Sequence, residues 1–183
     1  MKTASIFVIM LMFTAFSFGQ KYMTKNGKIS FFSNAPMEKI EANNNQVNCA
    51  LDIKTGDFVF KVLMKSFEFE KALMQEHFNE NYAESDKFPN ASFKGKIVNI
   101  TAIDLTKPGK YQVTVEGDLT IHGVTKKVTE KGTFEVANGK IRGVSTFKVK
   151  LADYGIKIPK TVVNNIAEEV EIKVDVLMDP LKK

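Results

Sequence analysis

Two histidines and one cysteine are all the imidazole and thiol chemistry that this sequence offers. His122 stands in GDLTIHGVTKKV (residues 117–128), directly before Gly123, and His77 stands in EHFNE, between Glu76 and Glu80. A nucleophilic triad needs a base within hydrogen-bonding reach of an activated hydroxyl or thiol. No G-x-S-x-G stretch occurs, and Cys49, in QVNCALDI, has no flanking catalytic signature. A metal site wants three or four ligands, and His77 with Glu80 at i,i+3 supplies a weak pair. The expectation is therefore no catalytic residue, no metal and no cofactor. Two readings of His122 remain. As architecture, His122-Gly123 turns the chain between two strands, with Gly123 able to take positive φ and the imidazole able to bond nearby backbone. As chemistry, the ring contacts the polar head of a ligand. The architectural reading leads.

The elements that carry these residues are strands. In KYQVTVEGDLTI, Tyr111, Val113, Val115, Gly117, Leu119 and Ile121 share one face, and Gln112, Thr114, Glu116, Asp118 and Thr120 share the other. Alternation of period two over this length means a strand with one wet face. EEVEIKVDVLM repeats it, and the pattern recurs at 28–33, 46–54, 57–67, 91–103, 124–136 and 140–151, which predicts eight strands. The links KTGD (54–57), TKPGK (106–110), HGV (122–124) and ANGK (137–140) are short and carry turn chemistry, so neighbouring strands run antiparallel. One segment reads as helix, Phe69 to Ser85, with Leu73, His77 and Tyr82 along one side and Met74 and Phe78 as an i,i+4 pair. Pro89 ends it. Residues 152–167 read as a long loop, a functional rim or lid.

Eight apolar faces need burial, and one short helix does not cover them. A sandwich or a sheet closed on itself does. Sequential hairpins favour an all-β, eight-stranded antiparallel up-and-down barrel with one accessory helix, and closure removes the exposed edges. With the apolar faces turned inward, the lumen is lined by Phe58, Phe60, Val62, Phe93, Ile97, Tyr111, Val113, Val115, Phe134, Phe147, Val149, Val170, Ile172 and Val174. A narrow barrel of this size is filled by its own side chains or holds one small ligand. From alternation alone these residues either form a plain core or bind an apolar guest, and both readings stand at this point.

Other features bound the function. Lys2, the apolar run Ile6–Phe16 and the small residues Ser17 and Gly19 have the layout of a signal peptide spanning 1–19, with 20–183 as the exported domain. Export leaves periplasm and secretion both open. The formal net charge is +5, or +4 without Lys2, and the lysines are scattered along alternating segments. Nucleic-acid binding would want a clustered basic stripe with aromatic platforms, so it is not expected. Transient docking on an anionic membrane surface is compatible with the charge. Cys49 shares a face with Val47, Leu51 and Ile53 and reads as a small buried apolar residue.

GDLTIHGVTK (Gly117–Lys126), preceded by KFPNASFKG and followed by ADYGI and a closing EEVEIKVDV, resembles the YceI-like family of lipocalin-like bacterial proteins over roughly 27–178. The resemblance implies an extended eight-stranded barrel with a helix beside it, holding a long isoprenoid or similar lipid. Two departures stand out. The aspartate-proline-histidine-serine opening of many relatives is replaced by KYMTKNGKISFFSNA, and the arginine often found before the aspartate-aromatic-glycine stretch is replaced by Ala152. The expected function is an exported, non-catalytic carrier or store for a long apolar lipid. The rivals are a structural or interaction barrel with a packed core, and an enzyme acting on a bound lipid.

Overall fold

Strand pairing follows the order of the chain. The computed structural model describes residues 21–181, so the expected signal segment at 1–19 lies outside the described residues. The strands are β1 (Lys21–Asn34), β2 (Lys39–Asp52), β3 (Asp57–Leu63), β4 (Glu68–Phe69), β5 (Asn90–Ile97), β6 (Gly109–Ile121), β7 (Val124–Ala137), β8 (Lys140–Lys150) and β9 (Glu169–Pro180). The ladder runs β1-β9-β8-β7-β6-β5-β3-β2 and returns to β1, with the two-residue β4 attached to β2. Every pair is antiparallel. The result is the closed eight-stranded up-and-down barrel that the alternation predicted.

Two hairpins show how local sequence sets the geometry. Asn138 and Gly139, between β7 and β8, have φ of 51° and 72°, and His122 and Gly123, between β6 and β7, have φ of 50° and 74°. Two left-handed residues in a two-residue link make the turn whose twist matches the flanking strands. Asn-Gly is the ordinary solution; His-Gly is not, and its reason lies in the site described below. A different glycine pair allows close approach. Gly95 and Gly117 face each other across β5 and β6, and a Cβ on Gly117 would lie 2.5 Å from the Gly95 Cα.

The bore is filled at one end. Tyr22, Val47, Cys49, Leu51, Ile97, Leu105, Val136, Ile141 and Met178 are buried there as one cluster. The Cys49 Sγ lies 3.5 Å from the Met178 Sδ, and burial pushes the thiol up to about 12. At the other end β2 and β3 part: their pairing covers only Asn48–Leu51 against Phe58–Lys61. The buried Asn44 stitches the fork, its Nδ2 donating to the Leu63 carbonyl and its Oδ1 accepting from the Gln46 amide. Between β3 and β5 the chain makes an excursion that contains α1 (Ala72–His77), which continues as a wider π-type turn over Phe78–Tyr82.

Several boundaries differ from the sequence reading. β1 and β2 begin at Lys21 and Lys39, not at 28 and 46. KYMTKNG and KIEANNN are poor in β-formers, but pairing along both strands, with bulges near Gly27, overrides propensity. The regular helix is shorter than 69–85, and Leu73 points to solvent at 60% exposure. Its inward side is Met74, His77, Phe78 and Tyr82. The strand expected to reach residue 103 stops at Ile97, and that expected to reach 67 stops at Leu63.

Candidate functional site

Above the filled end lies a cavity of about 440 Å³, within the ~300–1,000 Å³ range of small-molecule pockets. Its wall is made by the inward rows of the strands: Phe58, Phe60 and Val62 from β3, Phe93 from β5, Val113 and Val115 from β6, Phe134 from β7, Phe147 and Val149 from β8, and Val170, Ile172 and Val174 from β9. Ile97 and Tyr111, assigned to the lumen by alternation, are not on this wall. Ile97 is buried in the filled end, and Tyr111 packs against that cluster with its hydroxyl donating to the Lys107 carbonyl. The face was read correctly; the depth at which the bore changes from filled to hollow is not a property of alternation.

The roof comes from residues outside the set that alternation assigned to the lumen. Phe67, Phe69 and Phe78 of the excursion meet Phe31 of β1, with ring centroids 5.1–5.7 Å apart. Edge-to-face and offset ring contacts of this kind favour a fixed geometry. The segment after β8 crosses the mouth as a strap whose underside, Ile156, Val162 and Ile166, also lines the cavity. Far from the β8 end, the strap is tied to the first hairpin. Met37 N–H donates to the Asn164 carbonyl, Ala167 N–H to the Ser33 Oγ, and the Asn165 Nδ2 to the Glu38 carboxylate.

The near end of the strap is tied by His122. Its Nδ1 lies 3.2 Å from the Tyr154 carbonyl and its Nε2 lies 2.6 Å from the Glu84 Oε2. Both partners are acceptors, so the ring nitrogens face oxygen on both sides. Phe88 packs edge-on at 4.5 Å between centroids, and a Cβ on Gly123 would collide with it at 2.5 Å. One turn of strand further on, Lys126 pairs with Asp153 at 3.1 Å. The two stretches IHGVTK and ADYG thus dock on each other. This explains why an imidazole occupies a left-handed turn: it joins the β6–β7 hairpin to the end of the helical excursion and to the strap. His122 also borders the cavity. The other histidine, His77, borders it from α1, and among the described residues no three His, Cys, Asp or Glu side chains gather as a metal site.

The barrel wall has a side opening. The β7–β8 ladder runs only from Ala137/Lys140 to Gly132/Ser145, closed off by the Ser145 Oγ donating to the Lys131 carbonyl at 2.6 Å. Beyond that point Val124–Lys131 pair with β6 alone and Thr146–Lys150 with β9 alone. Both edges line the cavity, and Glu130 lies on the β7 edge, in the inward row of Val128, Gly132 and Phe134. Burial pushes the Glu130 carboxyl above its ordinary range. Tyr154, buried beside Val149 and Val170, has its phenol pushed up by burial first and then by the charges of Asp153 and Glu130.

Comparison with known proteins agrees with this architecture. Residues 20–178 match the model of the YceI-like domain. A UPF0312 protein of Pseudomonas putida (strain W619) is 36% identical over 85 residues, covering 43% of this chain and 41% of that protein, so the match spans about two fifths of the relative's length. A polyisoprenoid-binding domain from Saccharophagus degradans superposes with a TM-score of 0.77 at 12% identity, over 89% of this chain and 99% of that one. Burkholderia cenocepacia BcnA superposes with a TM-score of 0.65 at 17% identity, over 83% and 95%.

Proposed function

The chain belongs to the YceI-like family, and on that premise we propose that it is an exported, non-catalytic protein that holds a long isoprenoid or similar lipid in its lumen for storage or transport. One observation carries the reading: a walled, roofed cavity of about 440 Å³ lined almost wholly by apolar side chains, within a barrel of the fold seen in a polyisoprenoid-binding domain. A packed-core barrel would leave no such volume.

The size of the cavity limits the guest. Lining residues on β6 run from Val113 to Ile121, eight steps of ~3.4 Å, or roughly 20 Å along the axis of a barrel whose strands tilt by ~40°. Half the hydrocarbon thickness of a bilayer is ~15 Å. A tail of leaflet length lies extended in the lumen, and a much longer chain doubles back or leaves through the side opening. The energetics fit a carrier. At ~0.8 kcal/mol per CH₂ a forty-carbon chain taken from water would gain ~30 kcal/mol, beyond the ~18–21 kcal/mol at which non-covalent affinity saturates. The relevant reference is the membrane, and small differences between lumen and bilayer decide uptake or release.

Exchange with a bilayer needs a docking face, which we place on the roof. Met37, Leu73 and Val163 are exposed at 74%, 60% and 46%. Met37 is adjacent to the strap through its bond to Asn164, and Lys71 pairs with Glu38 at 3.6 Å. Exposed apolar side chains with lysines around them suit an anionic lipid surface. Co-sedimentation with vesicles containing phosphatidylglycerol tests this. Met37→Asp with Leu73→Asp is expected to abolish binding, and unchanged binding refutes the face. The lumen itself is tested by transfer of a long-chain lipid between vesicles, which the protein is expected to accelerate.

A further inference from the structure

We propose that the polar end of the guest rests at Glu130 in the side opening between β7 and β8, and that this end is a hydrogen-bond donor without negative charge, an alcohol or amine and not a phosphate. The inference deepens the lipid-binding reading and rests on it.

Three observations converge. Glu130 is on the inward row of β7, opposite Val115 of β6 and among residues that line the cavity. Of the other charged groups and histidines at the cavity, Glu38 is bonded to Asn165 and Lys71, His122 is held by Glu84 and Tyr154, His77 lies on α1, and Lys131, on the outward row, is exposed. Glu130 has no ion-pair or hydrogen-bond partner among the described residues. Three outward-facing carboxylates on the same sheet are matched, Glu135 with Lys110, Asp118 with Lys127 and Asp175 with Arg142; Glu116, unpaired among the described residues, faces outward and not into the cavity.

A half-buried carboxylate facing an apolar chamber without a partner is a cost to the fold, because partial desolvation disfavours its charged form. Its position at the gap in the wall reduces that cost, since water reaches it, and a guest that donates an O–H or N–H removes the rest. The tail of such a guest runs from Glu130 over Phe147 and Ile172 toward the phenylalanine roof. A phosphate at the same place would set two negative charges side by side, and the one cation on the inward rows of β6, β7 and β8, Lys126, is already paired with Asp153. Like charges in a partly desolvated site repel strongly.

The test compares two guests that share one tail. Geranylgeraniol and geranylgeranyl monophosphate are each titrated against the full exported chain preloaded with N-phenylnaphthylamine, a neutral fluorophore. Wild type is expected to prefer the alcohol over the phosphate by at least about tenfold, the scale of one charge-assisted hydrogen bond. Glu130→Gln, which keeps size and polarity but removes the charge, is expected to cut the preference to within about threefold. A wild-type preference for the phosphate, or one that Glu130→Gln leaves unchanged, overturns the assignment while leaving the lumen as a lipid site. Uptake of the fluorophore without displacement by either guest also overturns the Glu130 assignment. Failure to take up the fluorophore or either guest overturns the lipid-binding reading and this inference together.

Discussion

Replacing His122 by alanine removes one of the two ties between IHGVTK and ADYG, leaving the Lys126–Asp153 pair. The loss has three parts. The bond to Glu84 at 2.6 Å is charge-assisted but half open to solvent, with the Glu84 side chain 41% exposed, so the low end of the charged range applies, about 1.5 kcal/mol. The bond to the Tyr154 carbonyl at 3.2 Å is worth about 0.5–1 kcal/mol. The edge contact with Phe88 adds about 0.5 kcal/mol. Together His122→Ala is expected to cost about 2.5–3 kcal/mol, which for a domain of this length lowers Tm by roughly 5–12 °C. His122→Asn, which tolerates the left-handed backbone, controls for the turn itself. A double-mutant cycle with Glu84→Ala isolates the pair, with a coupling of about 1 kcal/mol expected. Thermal melts followed by circular dichroism read the stability, and hydrogen exchange at residues 151–156 reads the strap, which is expected to lose protection. A Tm within about 2 °C of wild type would refute the architectural account, and if lipid affinity fell at the same time the ring would be a head-group contact.

Three further outcomes follow from the geometry. Val174→Phe projects a ring into the hollow part of the bore; lipid affinity is expected to fall at least about tenfold in a displacement titration, with stability changed by less than about 1.5 kcal/mol because the ring fills vacant space. Cys49, buried and with its thiol pushed up to about 12, is expected to resist a thiol reagent at pH 8 and to react fully in guanidinium chloride. Glu130→Gln is expected to raise Tm at neutral pH. The sign follows from the raised carboxyl: between its unfolded and folded values the folded state holds more protons, so the stability present below the unfolded value is lost as pH rises through the folded one. The Tm gain is therefore expected to shrink as the pH falls through the raised folded value and to be gone below about 4.3, the unperturbed carboxyl value, and a pH-independent gain would contradict it.

The barrel was legible because period-two alternation, repeated with short turn-rich links, leaves few ways to bury so many one-sided strands. The N-terminal halves of β1 and β2 were not, since KYMTKNG and KIEANNN are poor in β-formers and only cross-strand pairing, such as Met23 with Asp179 and Asn43 with Ser30, holds them extended. Most of the strand-borne lining was legible, because parity alone decides which side chains point inward. Parity does not say where along the bore the filling stops, and so Ile97 and Tyr111 were placed at the cavity. The roof was missed for a related reason: Phe67, Phe69 and Phe78 lie in an irregular excursion where no period applies, and Phe31 meets them only through closure of the barrel. A signal for Glu130 was present, since it interrupts the inward row Val128, Gly132, Phe134. Its meaning required the parting of β7 from β8, which no local pattern encodes.

The central claim is that the bore is hollow in order to carry a lipid. Solvent extraction of protein purified without detergent, followed by mass spectrometry with quantitation against protein, tests it most directly. The account predicts a long-chain lipid at close to one molecule per chain. Repeated absence of any such lipid, together with no uptake of one by the delipidated protein, would contradict it.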